Sequence, residues 1–264
     1  MRMSTNLGTH SPKLDAVRDL RRKAGRLEQR RYAVEGETLL AEALAAERPV
    51  EAVYATESGA AALAGPVRDA VAGRTFLISD RAMARISDLE TPPGILAVLP
   101  IELEPCGAVL DGEPALLLAG VADPGNAGTL LRSAEIFGIT RAVFAGDAVE
   151  PHNPKVVRAT MGALFRMRVA AAGAAEIVAE ARRAGYTVVA AAREGLPLPA
   201  FSFPERPLIA VGNERHGVAA VLPSWDQTVS IPQAGRGESL NAAVAGGIIL
   251  YAFSQRARAD NSKC

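Results

Sequence analysis

The chain has little of what several common protein classes require. Among its 264 residues are two cysteines and three histidines. Cys106 and Cys264 offer neither a disulfide framework nor a zinc-ligand spacing, and His10, His152 and His216 are scattered. Together these counts argue against a metal enzyme, and no metal site is expected. The longest apolar runs, such as residues 114–122, fall well short of the roughly 20 residues that a membrane-spanning helix needs. No apolar stretch follows the polar first residues, so no secretory signal is read and a reducing, cytoplasmic setting is expected. Neither a GxxxxGK[ST] phosphate loop nor a GxGxxG dinucleotide fingerprint occurs, which leaves kinases, GTPases and ordinary NAD-dependent dehydrogenases unsupported. Net charge is absent as well, because 29 Lys and Arg cancel 29 Asp and Glu.

What charge there is lies unevenly. Arg2, Lys13, Arg18, Arg21, Arg22, Lys23, Arg26, Arg30 and Arg31 crowd the front of the chain against Asp15, Asp19 and Glu28, whereas acids outnumber bases from 32 to 110. A basic arm on an acidic body fits RNA gripping, and it equally fits a solvated helix face. A second cluster, Lys155, Arg158, Arg166 and Arg168, has no acid between its members.

Hydrophobic periodicity divides the chain. Residues 1–100 alternate helical and strand patterns, with helices at 12–30, 36–47 and 59–72 and strands at "VEAVYAT", "TFLIS" and "GILAVLP", giving a small α/β unit. Residues 101–113 lack strong periodicity and are read as a linker that includes Cys106. From 114 to 264, continuous apolar strands alternate with helices, the signature of a parallel sheet covered on both faces. Ligands of such sheets bind at loops beyond the carboxyl ends of strands.

Three of those loops are unusual. In "DPGNAGTLLRSAEIFG" a helix opens around Asn126, with Arg132 off its apolar stripe and near its start, an awkward place for a cation. Taken alone, Asn126 serves as an N-cap and Arg132 as an ordinary surface residue. In "PLIAVGNERHGV", Gly212 and Gly217 bracket Asn213, Glu214, Arg215 and His216; this spacing suits a ligand loop or a tight turn, and His216 suits a base or a solvated side chain. In "VSIPQAGRGESLNAAVAGG" a helix is expected from Ser239, a plausible N-cap, and its Ala and Gly residues imply close backbone packing, within the fold or between subunits.

In this order the three segments resemble the signature motifs of the SpoU/TrmH family of SPOUT methyltransferases. The first motif is matched by Asn126, Gly128, Arg132, Ser133, Ala134, Phe137 and Gly138, the second by Gly212, Glu214 and Gly217, and the third by Ile231, Pro232, Gly235, Ser239, Leu240 and Asn241. "RRYAVEGETLLAEAL" and "TPPGILAV" more weakly resemble the ribosomal-protein-like substrate-binding domain of many members. The resemblance implies an α/β trefoil-knot domain, an exception to the rule that chains do not thread loops, behind a small α/β RNA-binding domain. It implies S-adenosylmethionine as cofactor, a homodimer, and methyl transfer to a ribose 2′-hydroxyl of RNA. Ribosomal RNA is favoured, a large-subunit target and a role in antibiotic resistance fall within the family's range, and the alternatives are a transfer-RNA enzyme or a catalytically silent RNA-binding dimer. Carried over residue by residue, Arg132, Asn126, Glu214, Ser239 and Asn241 would be catalytic. Ala191, Gly212, Ile231 and Leu240 would hold the cofactor through their backbone. Arg18, Arg21, Arg22, Arg26, Arg30 and Arg158 would contact RNA.

Overall fold

The computed structural model describes residues 7–9, 11–213, 216–236 and 239–261, with backbone alone at 257–261. They form two units, residues 1–102 with 152–165 and residues 103–151 with 166–264. No helix among them is long and apolar enough to cross a membrane.

The first unit opens with two short helices, α1 (Pro12–Asp19) and α2 (Lys23–Gln29), where one helix over 12–30 was expected. The break has a packing cause. Leu20 is buried in the core, and Arg26 folds back under the turn to donate from Nη1 to the carbonyls of Leu20 (2.8 Å) and Arg21 (2.9 Å). Gly25 makes the bend possible, since a Cβ there would lie 2.2 Å from the Asp19 carbonyl oxygen. Strand β1 (Arg31–Glu35), helix α3 (Glu37–Ala45) and strand β2 (Ala52–Ala55) follow. The helix expected over 59–72 is also two: α4 (Glu57–Ala62), capped by the Thr56 hydroxyl, and α5 (Gly65–Val71), which restarts with Pro66 in its first turn. Strand β3 (Thr75–Leu77), helix α6 (Asp80–Ile86) and strand β4 (Ile95–Pro100) complete a sheet of order β1-β4-β2-β3, in which only β2 and β3 run parallel.

In the second unit, helix α7 (Cys106–Val109) buries Cys106, Val109 and Leu110 in the core, so the stretch read as a linker is packed. Four residues are too few to display a helical period. Burial pushes the Cys106 thiol up to about 11. Then come strand β5 (Ala115–Ala119), helix α8 (Pro124–Ile136) and strand β6 (Arg141–Ala145). Helix α9 (Pro154–Thr160) belongs to the first unit, where His152 sits against Tyr32 with ring centroids 4.6 Å apart. Burial, with the Arg26 and Arg48 cations adding, lowers the His152 pKa to about 4 and keeps the ring neutral.

Strand β7 (Arg168–Ala172), helix α10 (Ala174–Arg183), strand β8 (Thr187–Pro197), strand β9 (Pro207–Gly212), strand β10 (Gln227–Ser230) and helix α11 (Ala242–Asn261) close the fold. The six strands are all parallel, in the order β10-β8-β9-β5-β6-β7. Leu116, Leu117 and Leu118 of β5 are wholly buried, as a two-face core requires, each contributing about 2 kcal/mol of hydrophobic stabilisation. Leu117 and Ala210 pack with α7 and α10. On the opposite face α11 approaches so closely that a Cβ at Gly246 would meet Leu130 Cδ2 at 2.3 Å and Val211 Cγ2 at 3.2 Å. At Gly246, then, the small residue serves packing within the fold.

Candidate active site

The carboxyl ends of β5, β9 and β10 carry the three unusual loops. After β5, Asp123 caps α8, its Oδ1 accepting from the Asn126 backbone N–H at 2.7 Å. Asn126 is therefore not the cap. Its side chain instead makes a long-range bond, Oδ1 accepting from Asn241 Nδ2 at 2.9 Å, across 115 residues. Arg132 is the ninth residue of this helix rather than near its start, beyond the first turn where the macrodipole opposes a cation. It is exposed and forms no ion pair with another described residue.

After β9, the chain folds back on itself. A Cβ at Gly212 would lie 2.2 Å from the Gly217 carbonyl carbon and 2.3 Å from the Val218 nitrogen, so only glycine fits there. The Gly217 N–H donates to the Asn213 carbonyl at 2.8 Å, and Gly217 takes φ +63°. Asn213 Nδ2 donates to the Gly120 carbonyl (3.3 Å), tying this loop to the end of β5. Glu214 and Arg215 lie outside the described residues.

After β10, the last helix begins at Ala242, later than expected. Its cap is Asn241, whose Oδ1 accepts from the N–H groups of Ala243 (2.9 Å) and Val244 (3.2 Å). Ser239 instead faces an open cleft of about 370 Å³, within the size range of small-molecule sites. Ala191, Gly212, Ile231 and Leu240 all line that cleft. Asn126 and Arg132 do not line it, although the Asn126–Asn241 bond joins the first loop to the helix start beside it. Val211, Val218 and Ile249 give it apolar walls, and His216 and Gln233 contribute polar side chains. Among the lining residues that the sequence does not single out are Trp225 and Arg193. Trp225 is the chain's single tryptophan, a signal in itself. It donates from Nε1 to Thr228 Oγ1 at 3.0 Å.

The residues expected on RNA divide. Arg26 is a correction: it is buried and committed to backbone carbonyls, so its charge cannot reach a ligand. Arg21, Arg22 and Arg30 are exposed. Arg22 pairs with Asp19 (2.8 Å), Arg18 with Asp15 (3.3 Å), and both Arg21 (3.8 Å) and Arg158 (3.1 Å) with Asp88. The second basic cluster is also matched, with Arg166 on Glu135 (2.7 Å) and Arg168 on Glu104 and Asp111.

The family model described as the SpoU rRNA Methylase family matches residues 113–251. A second, the MRM3-like substrate binding domain, matches 11–97. A 23S rRNA (guanosine(2553)-2′-O)-methyltransferase, RlmP, of Bacillus subtilis is 29% identical over 91% of this chain and 96% of its own. A 23S rRNA (uridine(2479)-2′-O)-methyltransferase of Streptomyces viridochromogenes is 36% identical over 61% of this chain and 60% of its own. The crystal structure of an AdoMet-bound rRNA methyltransferase from Sinorhizobium meliloti superposes with a TM-score of 0.82, covering 96% of this chain and 97% of that one at 26% identity.

Proposed function

The chain belongs to the SpoU rRNA methylase family, and on that premise we propose that it transfers a methyl group from S-adenosylmethionine to a ribose 2′-hydroxyl of ribosomal RNA in the cytoplasm. The observation that carries this reading is the gathering of Ala191, Gly212, Ile231 and Leu240 around one cleft at the carboxyl ends of a parallel sheet. The cleft suits the cofactor. Its walls are apolar, and the bare Gly212 leaves the backbone open to close approach. Both curated relatives act, by name, on 23S ribosomal RNA, which makes the large-subunit RNA the first substrate to try.

S-adenosylmethionine supplies an electrophilic methyl group on its sulfonium. The chain's own residues must bring the ribose oxygen into line with that methyl, and such positioning supplies much of the barrier reduction. Arg132 stabilises the negative charge that grows on the 2′-oxygen while the hydroxyl proton passes to a neighbouring phosphate or to solvent; a guanidinium is a poor base and a strong electrostatic partner. Asn126 and Asn241, bonded to each other, hold the start of α11 against the start of α8. Ser239 faces the cleft with a hydroxyl able to orient the ribose. Glu214 completes the set by resemblance.

The reading includes a homodimer and a threaded carboxyl-terminal segment. Helix α11 exposes Val244, Ile248 and Tyr251 along one face, and Tyr251 meets Phe137 edge-on at 5.7 Å beside the exposed Ile136. An apolar stripe of this kind is what an isologous interface covers. The basic arm, through Arg18, Arg21, Arg22, Arg30 and Arg158, adds RNA affinity. The test is to map 2′-O-methylated nucleotides in an unmodified 23S transcript incubated with the purified chain and cofactor, with sedimentation of the same preparation alongside. New methylation in the large-subunit RNA and a dimer are expected. Absence of any methylated ribose removes the enzymatic reading, and a monomer at micromolar concentration removes the dimer.

A further inference from the structure

Strand β8 is interrupted in a way that the cleft explains. Gln227 and Thr228 of β10 pair with Val189 and Ala190, but the next two residues, Val229 and Ser230, pair with Leu196 and Pro197. Residues 191–195 therefore leave the ladder while β10 runs on without an insertion. Such an excursion disrupts the ladder locally and re-aims side chains. Its return is tightly held. A Cβ at Gly195 would lie 2.7 Å from Thr228 Cγ2 and 2.8 Å from the Thr228 carbonyl oxygen, so glycine is required for the approach. The buried Ser230 donates from Oγ to the Gly195 carbonyl at 3.0 Å. Thr228 is held in turn by Trp225.

What this anchored excursion delivers to the cleft is Ala191, Ala192 and Arg193. Two are alanines, so Arg193 is the one functional side chain presented. It is exposed and makes no ion pair with a described residue, whereas Arg141, Arg166, Arg168, Arg182 and Arg183 of the same unit are each paired with a carboxylate. Such a guanidinium, held on a rigid backbone at the rim of a cleft, is prepared for an oxyanion, and preorganisation lowers the cost of binding one.

Two oxyanions could enter here, the carboxylate of the cofactor's amino-acid tail and a phosphodiester of the RNA. We infer that Arg193 is an RNA-contacting residue that grips the phosphodiester next to the target ribose. The inference rests on the 2′-O-methyltransferase reading. Every internal ribose 2′-hydroxyl in an RNA chain neighbours its own 3′-phosphodiester, so a cleft that seats such a hydroxyl must also accommodate that charge. A guanidinium meets a phosphate through two parallel hydrogen bonds. Arg193 is solvent-facing at the mouth of the cleft, where the polymer must enter, whereas the inner walls that would receive the cofactor are apolar.

The test uses the full chain with an unmodified 23S transcript and S-adenosylmethionine, comparing wild type, Arg193→Gln and Arg193→Lys. Cofactor affinity is read from the fluorescence of Trp225, which lines the cleft and is the only tryptophan present. Expected for Arg193→Gln are an RNA affinity lower by roughly tenfold, a plot of log affinity against log salt less steep by about one, and unchanged cofactor affinity. Arg193→Lys, which keeps the charge, should recover the salt slope. An unaltered RNA affinity and slope in Arg193→Gln overturns the assignment, as does a loss confined to cofactor affinity, which would give Arg193 to the carboxylate. A wild-type chain that neither binds the cofactor nor methylates the transcript defeats the underlying activity instead, a result separable from either of these.

Discussion

At the amino ends of β6 and β7, Arg141 and Arg168 converge on Asp111. Arg141 reaches it with two nitrogens (3.0 and 3.2 Å) and Arg168 with one (2.6 Å), while Arg168 also holds Glu104. In the excursion within β8, Arg193 stands at the cleft with no described acid bonded to it, and Arg132 on α8 is likewise unmatched among the described residues. One sheet thus uses the same residue type in opposite ways. Where cation and carboxylate pair, the charge is consumed in holding strand ends to α7 and its flanking turns. Where the acid is missing, the charge remains for a ligand. A net charge of zero therefore says little about where an anion can bind, because the cancellation is spatially uneven.

The largest effect is expected at Arg132. Arg132→Ala should lower methyl transfer about 100- to 1,000-fold, the usual cost of losing one preorganised electrostatic partner, with cofactor affinity by Trp225 fluorescence unchanged. Full activity in that variant would remove Arg132 from the chemistry. A smaller effect is expected in the basic arm, whose cations are already shared with acids. The double change Arg21→Gln and Arg22→Gln should weaken RNA binding severalfold in a salt-dependent manner; an unchanged affinity leaves the arm a solvated face.

The least effect on activity belongs to the matched end. Hydrogen bonding from Arg141, outweighing burial and aided by the Glu113 N–H and by Arg168, holds the Asp111 carboxyl below the usual aspartate range. A depressed carboxylate pKa contributes stability above the unfolded value near pH 4, and that contribution is lost as pH falls through the folded value. Asp111→Asn should thus leave methyl transfer intact, destabilise the chain at neutral pH by about 1 kcal/mol for a partly exposed cluster, and flatten the acid limb of a thermal-stability profile. Loss of activity without loss of stability would contradict the division between the two ends.

Much of the fold is legible in the sequence. The alternation of apolar strands and helices in 114–264 read directly as a parallel sheet, since continuous hydrophobic runs report burial on both faces. The order of the three loops pointed to the family. Helix boundaries were less legible where a tertiary contact intervened. A period of 3.6 runs through 12–30, but only the docking of Arg26 beneath the turn reveals the break at Leu20 to Arg22. Ser239 and Asn241 are both good caps by residue type, and only the backbone path gave that role to Asn241.

Arginine marks the division most clearly. Residue order alone sets how many cations the chain carries, which strands build the core, and that Gly212 and Gly217 frame a loop at a strand end. It could not tell a buried Arg26 from an exposed Arg22, or a matched Arg168 from an unmatched Arg193. Those states depend on partners far away along the chain: Asp111 lies 57 residues from Arg168, and Asn241 lies 115 residues from Asn126. Local patterning is set by neighbours within a turn or a pleat, whereas charge pairing and cleft geometry are set by whatever the closed fold brings within hydrogen-bond reach.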